Sequence, residues 1–167
     1  MKLLVAICIL LFLGSTSLSI IQKDSAEWVE RCHTSTARYY LNPKQIFKGL
    51  YANPNFKGQL LADVWVKLIP RTDTREGQHE YENHLKELKK KAKDKYKSYS
   101  YRLAKMQFKC ESRIYWTEEA YDYDSEGNLI YKWPTTIADI LHEDSVTPGS
   151  IAECIMSIAC KQLSEVP

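Results

Sequence analysis

Apolar and polar residues alternate through most of this chain, and the spacing turns helical only twice. Residues 26–33 and 36–41 read as the first two strands, the second ended by Asn42 and Pro43. Residues 51–58 carry turn chemistry: Asn53, Pro54, Asn55 and Gly58. The clearest strand is 62–70, with Val64, Val66 and Leu68 on one face and Trp65 and Ile69 on the other. Apolar side chains on both sides predict that both faces are at least partly covered. From Glu80 the apolar positions Tyr81, Leu85, Leu88 and Ala92 recur at helical intervals, which predicts an inserted amphipathic helix. Alternation then returns. Tyr99, Tyr101 and Leu103 share one parity while Met106, Phe108 and Cys110 share the other, so a bulge or bend is expected near Ala104. Residues 113–117, running on toward Tyr123, pair with 129–133 as a hairpin turned by Ser125, Glu126, Gly127 and Asn128. An irregular acidic linker, 134–147, leads to the second helical stretch. There Pro148 and Gly149 punctuate the chain, and Ser150 and Glu153 have capping-box spacing. Ile151, Met156, Ile158 and Ala159 are too apolar for a solvated helix. The pattern therefore predicts an α+β domain, an antiparallel sheet of five to six strands with one inserted helix and one C-terminal helix.

The chain has 167 residues and five cysteines. Residues 1–19 read as a secretory signal peptide: Lys2, an apolar core too short to span a bilayer, then Ser17 and Ser19 before the expected cleavage site. Cys8 lies within that core with no small-residue triplet before it, so no lipid anchor is expected. The stretch 20–167 is long enough for one domain that buries about 70% of its unfolded surface. It keeps Cys32, Cys110, Cys154 and Cys160. An even number in an oxidising compartment predicts disulfides. Cys154 and Cys160 point about 240° apart around a helix, so they should each reach a different partner. The other two connectivities both fit the residues.

Net charge is +2, which argues against a general nucleic-acid binder. The charges are segregated, basic over 84–113 and acidic over 117–145, and predict a dipolar surface. Lys86, Lys89, Lys90, Lys91, Lys93, Lys95 and Lys97 could form an electrostatic landing patch for an acidic partner. The plainer reading is a solvated helix face with pairs such as Lys90–Asp94. Tyr99 and Tyr101 beside these lysines are candidate contact aromatics, expected on the face opposite the core. Asp122 to Asn128 imitates the start of a calcium loop, but Trp133 stands where an EF-hand needs its bidentate Glu, so a hairpin turn is expected. His79 and His84 lie about 140° apart on a helix rather than one turn, and read as solvated. No nucleophile with a supporting base is evident. No catalytic residue, metal or cofactor is expected.

Five features carry a family resemblance: Trp28 in the first strand; Tyr39-Tyr-Leu-Asn-Pro43; Val64-Trp-Val-Lys67; Cys110 with Arg113 and Tyr115; and Pro148-Gly-Ser-Ile-Ala-Glu153 running to Cys160. In this order the chain resembles the surface-adhesin protein E-like family of small exported bacterial proteins, over 20–167. The resemblance implies an antiparallel sheet whose C-terminal helix is tethered to it by a disulfide. In the family that helix follows a Pro-Gly/Asp-Ser motif and ends at a cysteine ten residues after the Ser. This implies Cys110–Cys160 here and leaves Cys32–Cys154 as an addition. The family's namesake is a surface adhesin that recognises host extracellular-matrix proteins. The expected function is thus an exported non-enzymatic binding module, in the periplasm or at the cell surface. Its expected partner is a matrix protein or an acidic polysaccharide, with no transmembrane segment in the mature chain and a homodimer allowed. The other reading is a periplasmic structural or envelope-maintenance protein with no host ligand.

Overall fold

The computed structural model describes residues 27–49, 60–134 and 143–165. The expected signal peptide, the turn at 51–58 and the middle of the acidic linker lie outside them. Seven strands form one antiparallel sheet: β1 Val29–His33, β2 Ala37–Lys48, β3 Leu61–Pro70, β4 Tyr99–Lys109, β5 Ile114–Asp124, β6 Leu129–Trp133 and β7 Asp144–Ser145. The order is β1-β2-β3-β4-β5-β6, with β7 on the start of β5. Two helices, α1 Arg75–Ala92 and α2 Ile151–Ser164, complete an α+β fold. The sheet exceeds the expected count because the two-residue β7 is too short to leave an alternation signal.

The second strand does not end at Asn42-Pro43. The β2–β3 register shifts between Leu41 and Ile46, and β2 then resumes to Lys48. Buried Asn42 accepts the Lys44 N–H through Oδ1 (3.0 Å), so a local turn bulges out and lets the strand rejoin. Pro43 sits in the bulge, where its missing N–H costs no ladder bond. α2 grips that bulge through Gln162 Nε2, which donates to the Pro43 carbonyl at 2.6 Å.

β3 and β4 pair without a break, which fixes the two faces of the sheet. Ala62, Val64, Val66 and Phe108 pack with Leu41 and Ile46 beneath Ala152, Ile155, Met156 and Ala159 of α2. Further along the same face, Leu88 and Ala92 of α1 cover Tyr99 and Ile130, with Trp133 against them. α1 begins earlier than Glu80. Thr74 caps it by accepting the Gly77 N–H at 3.0 Å, a start signal hidden inside the polar connection.

Two disulfides hold α2. Cys32–Cys154 ties it to β1, and Cys110–Cys160 ties it to the turn after β4, with Cα separations of 6.2 and 5.8 Å. Its N-terminus carries a variant of the expected capping box. Ser150 Oγ accepts the Glu153 N–H at 3.2 Å, but Glu153 accepts from Gly149 N at 2.7 Å rather than from Ser150. The Ser150 N–H is taken by the Thr147 carbonyl, and Arg113 pairs with Glu153 from the β4–β5 turn.

Candidate functional site

The candidate contact residues divide among three places. Lys86, Lys89, Lys90 and Lys91 lie on the exposed side of α1. Lys93, Lys95 and Lys97 lie on a 3-10 turn, Lys93–Ser98, that continues from it. The run is therefore bent rather than one helical stripe. It breaks at Lys93, whose φ of 49° and ψ of −128° suit glycine far better than lysine. Asp94 does not pair with Lys90; it lies 3.8 Å from Lys97. Lys86 donates to Asn83 at 3.2 Å. Among the described residues, Lys89, Lys90, Lys91, Lys93 and Lys95 have no carboxylate partner.

Part of the segregated charge meets across the sheet. β4 and β5 are neighbours, so much of the basic block faces the acidic one. Arg102 Nε meets Asp122 Oδ1 at 2.9 Å and Lys105 Nζ meets Glu118 at 2.5 Å, while buried Lys109 pairs with Glu143 just before β7. The lysines of α1 and its 3-10 turn stay outside this cancellation.

Tyr99 and Tyr101 do not share a face, contrary to the sequence parity. The register shifts between them, Tyr99 opposing Asp124 and Tyr101 opposing Tyr123, so Ser100 is the extra residue. The bulge expected near Ala104 is absent, since β4 pairs with β3 without a break there and Leu103 and Met106 lie on opposite faces; the bulge in β4 is at Ser100, and β5 carries its own at Glu118. Tyr99 is buried under α1, stacked on Tyr81 (centroids 5.8 Å), and burial with the nearby Asp122 charge pushes its hydroxyl pKa up. It belongs to the core and leaves the contact set. Tyr101 lies on the opposite side of the sheet, stacked on Tyr123 at 5.3 Å.

A dense polar cluster joins α1 to the sheet, and it includes His84, expected to be solvated, and Asp122, expected in a hairpin turn. His84 is not solvated: its Nε2 is 2.9 Å from Asp122 Oδ2, and its side chain is largely covered. Asp122 is fully buried and also accepts from Trp133 Nε1 at 2.6 Å and from both Nε and Nη2 of Arg102. Burial alone would raise this carboxyl, but the bonds from His84, Arg102 and Trp133 together with the Arg102 charge hold its pKa below the ordinary value. Arg102 also lies over the Trp133 ring, 5.0 Å from its centroid. Asp122 is therefore not a member of a cation loop. The turn beyond it is held by Asp124, whose Oδ1 accepts from Glu126 N and Asn128 N at 2.9 and 2.8 Å. His79 stays on the exposed side of α1, 3.1 Å from Asn83. A cavity of about 140 Å³ opens beside the cluster, between Tyr39, Glu80, Tyr81, His84 and Arg102. That is well below the roughly 300–1,000 Å³ of pockets that enclose organic ligands. The spacing of His84 on the inward stripe with Tyr81, Leu85 and Leu88 was the signal that could have placed it.

No family model, curated protein or solved structure matches the chain. Among the described residues, no helix is long and apolar enough to cross a membrane.

Proposed function

We propose that this chain is an exported, disulfide-braced, non-catalytic binding module that contacts an acidic macromolecule through the lysines of α1 and its 3-10 turn. The observation that carries this reading is the group Lys89, Lys90, Lys91, Lys93 and Lys95, exposed and without carboxylate partners among the described residues, beside a hairpin whose own charges cancel. Such a field raises the encounter rate with polyanions. The resemblance to the surface-adhesin protein E-like family supports a matrix protein or acidic polysaccharide as the partner and the bacterial surface or periplasm as the place. The non-catalytic part of the reading draws on Asp122, whose two oxygens are taken up by Arg102, His84 and Trp133, so the cluster holds α1 to the sheet.

The test is a Lys89→Glu/Lys91→Glu/Lys93→Glu variant measured on immobilised heparin and on matrix proteins over a salt series. Affinity falls about ten-fold or more, and its salt dependence flattens. Unchanged, salt-insensitive binding by the variant overturns the reading. Protease treatment of intact cells that produce the protein then separates surface from periplasm.

A further inference from the structure

The side of the sheet turned away from both helices carries a continuous row of rings. Tyr101 and Tyr123 stack with centroids 5.3 Å apart and planes 14° from parallel. Tyr121 follows at 6.5 Å from Tyr123, and Trp65 at 6.1 Å from Tyr121. Trp65 and Tyr121 come from strands on either side of β4, and the intervening Leu103 is buried. The four rings themselves are only half-buried, so ring surface stays open to solvent.

The charges around this row are nearly all engaged. Lys105 lies 2.5 Å from Glu118 and 3.8 Å from Asp63, Glu119 accepts from the Tyr121 hydroxyl, and the exposed Lys132 bonds to that same hydroxyl beside the Glu119 charge. Lys67 is the exception. It is half-buried, 4.1 Å from the Tyr101 centroid, and has no carboxylate partner among the described residues. Burial pushes its ammonium pKa down with no nearby anion to offset it. An unpaired, partly desolvated cation at one end of an otherwise balanced aromatic row is complementary to a ligand with flat apolar faces and a single negative group in reach. Sugar rings present such C–H faces to aromatic planes. Single-stranded nucleic acid also stacks on rings, but it needs a line of free cations to track its backbone, and Lys105 and Lys132 lie beside carboxylates, which leaves Lys67.

We propose that this face binds an oligosaccharide that carries a carboxylate, its sugar rings lying along Trp65, Tyr121 and Tyr123 and its carboxylate on the Lys67 ammonium, which rests on Tyr101. The site is separate from the lysines of α1.

Calorimetric titration of the disulfide-bonded chain tests it with three probes: a hyaluronan hexasaccharide, neutral chitohexaose and an oligothymidylate. The hyaluronan fragment binds about ten-fold more tightly than chitohexaose, the difference that one charge-assisted contact supplies. Lys67→Met, which keeps the length and apolar stem of the side chain, brings the two sugars level. Trp65→Ala weakens both about ten-fold, and Lys89→Glu/Lys91→Glu/Lys93→Glu changes neither. Equal affinity of the wild type for the two sugars, tighter binding of the oligothymidylate, or no heat with either sugar overturns the proposal. So does loss of sugar binding in the α1 triple variant. Thermal melts of each variant show that it folds, and the Lys67→Met comparison stands even where Trp65→Ala melts early.

Discussion

A Cβ at position 77 would lie 2.0 Å from the Arg71 carbonyl oxygen and 2.7 Å from Thr74 Oγ1. Gly77 is therefore the only residue type that lets the chain fold back tightly onto the first turn of α1. Gly77→Ala destabilises by about 1–3 kcal/mol, seen as a lower midpoint in urea with an unchanged slope. Lys93 presents the opposite case. A lysine holds a backbone conformation that glycine tolerates better, and Lys93→Gly stabilises by up to about 1 kcal/mol in the same measurement. Neither position stood out in the sequence, because a polar stretch and a lysine run give no sign of local backbone geometry. His84 and Asp122 were obscured for a related reason. The partner of each lies 38 positions away along the chain, beyond the reach of any local pattern.

At the scale of elements, the alternation of β3, the β5–β6 hairpin and both helices were legible in the sequence, since each buries one side more deeply than the other and the periodicity records which. What the periodicity cannot record is an inserted residue. Asn42-Pro43 read as a strand end and proved to be a bulge; Ser100 moved Tyr99 into the core and left Tyr101 on the other side. The caps of α2 were partly legible, since Ser150 and Glu153 mark the helix start even though the return bond goes to Gly149. Ser150→Ala costs about 1 kcal/mol, measured in chemical denaturation. The disulfide pairing implied by family resemblance is the pairing present. Replacing either bond by a pair of alanines lowers stability by about 2–5 kcal/mol, read from the melting temperature of the purified variant.

For the molecule as a whole, the cluster around Asp122 makes stability depend on acidity in one direction. Its folded pKa is depressed, so its contribution is present above the unfolded carboxyl value of about 3.9 and is lost as pH falls through the lower folded value. Asp124 and Glu153, also depressed, by bonds from Asn128 and from the Gly149 N–H respectively, act with the same sign. Asp122→Ala is expected to lose about 3–5 kcal/mol at pH 7, and its stability declines less steeply than the wild type's as pH falls from 4 to 2. A wild-type acid transition that keeps its steepness in the variant would show that other carboxylates control it. The two sulfur bridges have a further, topological result. Residue 32 is joined to 154 and residue 110 to 160, so the two loops overlap. Any single backbone cut between positions 32 and 160 leaves its two pieces linked through sulfur. A nicked molecule keeps its full mass on a gel run without thiol, and it separates into fragments only when reductant is added.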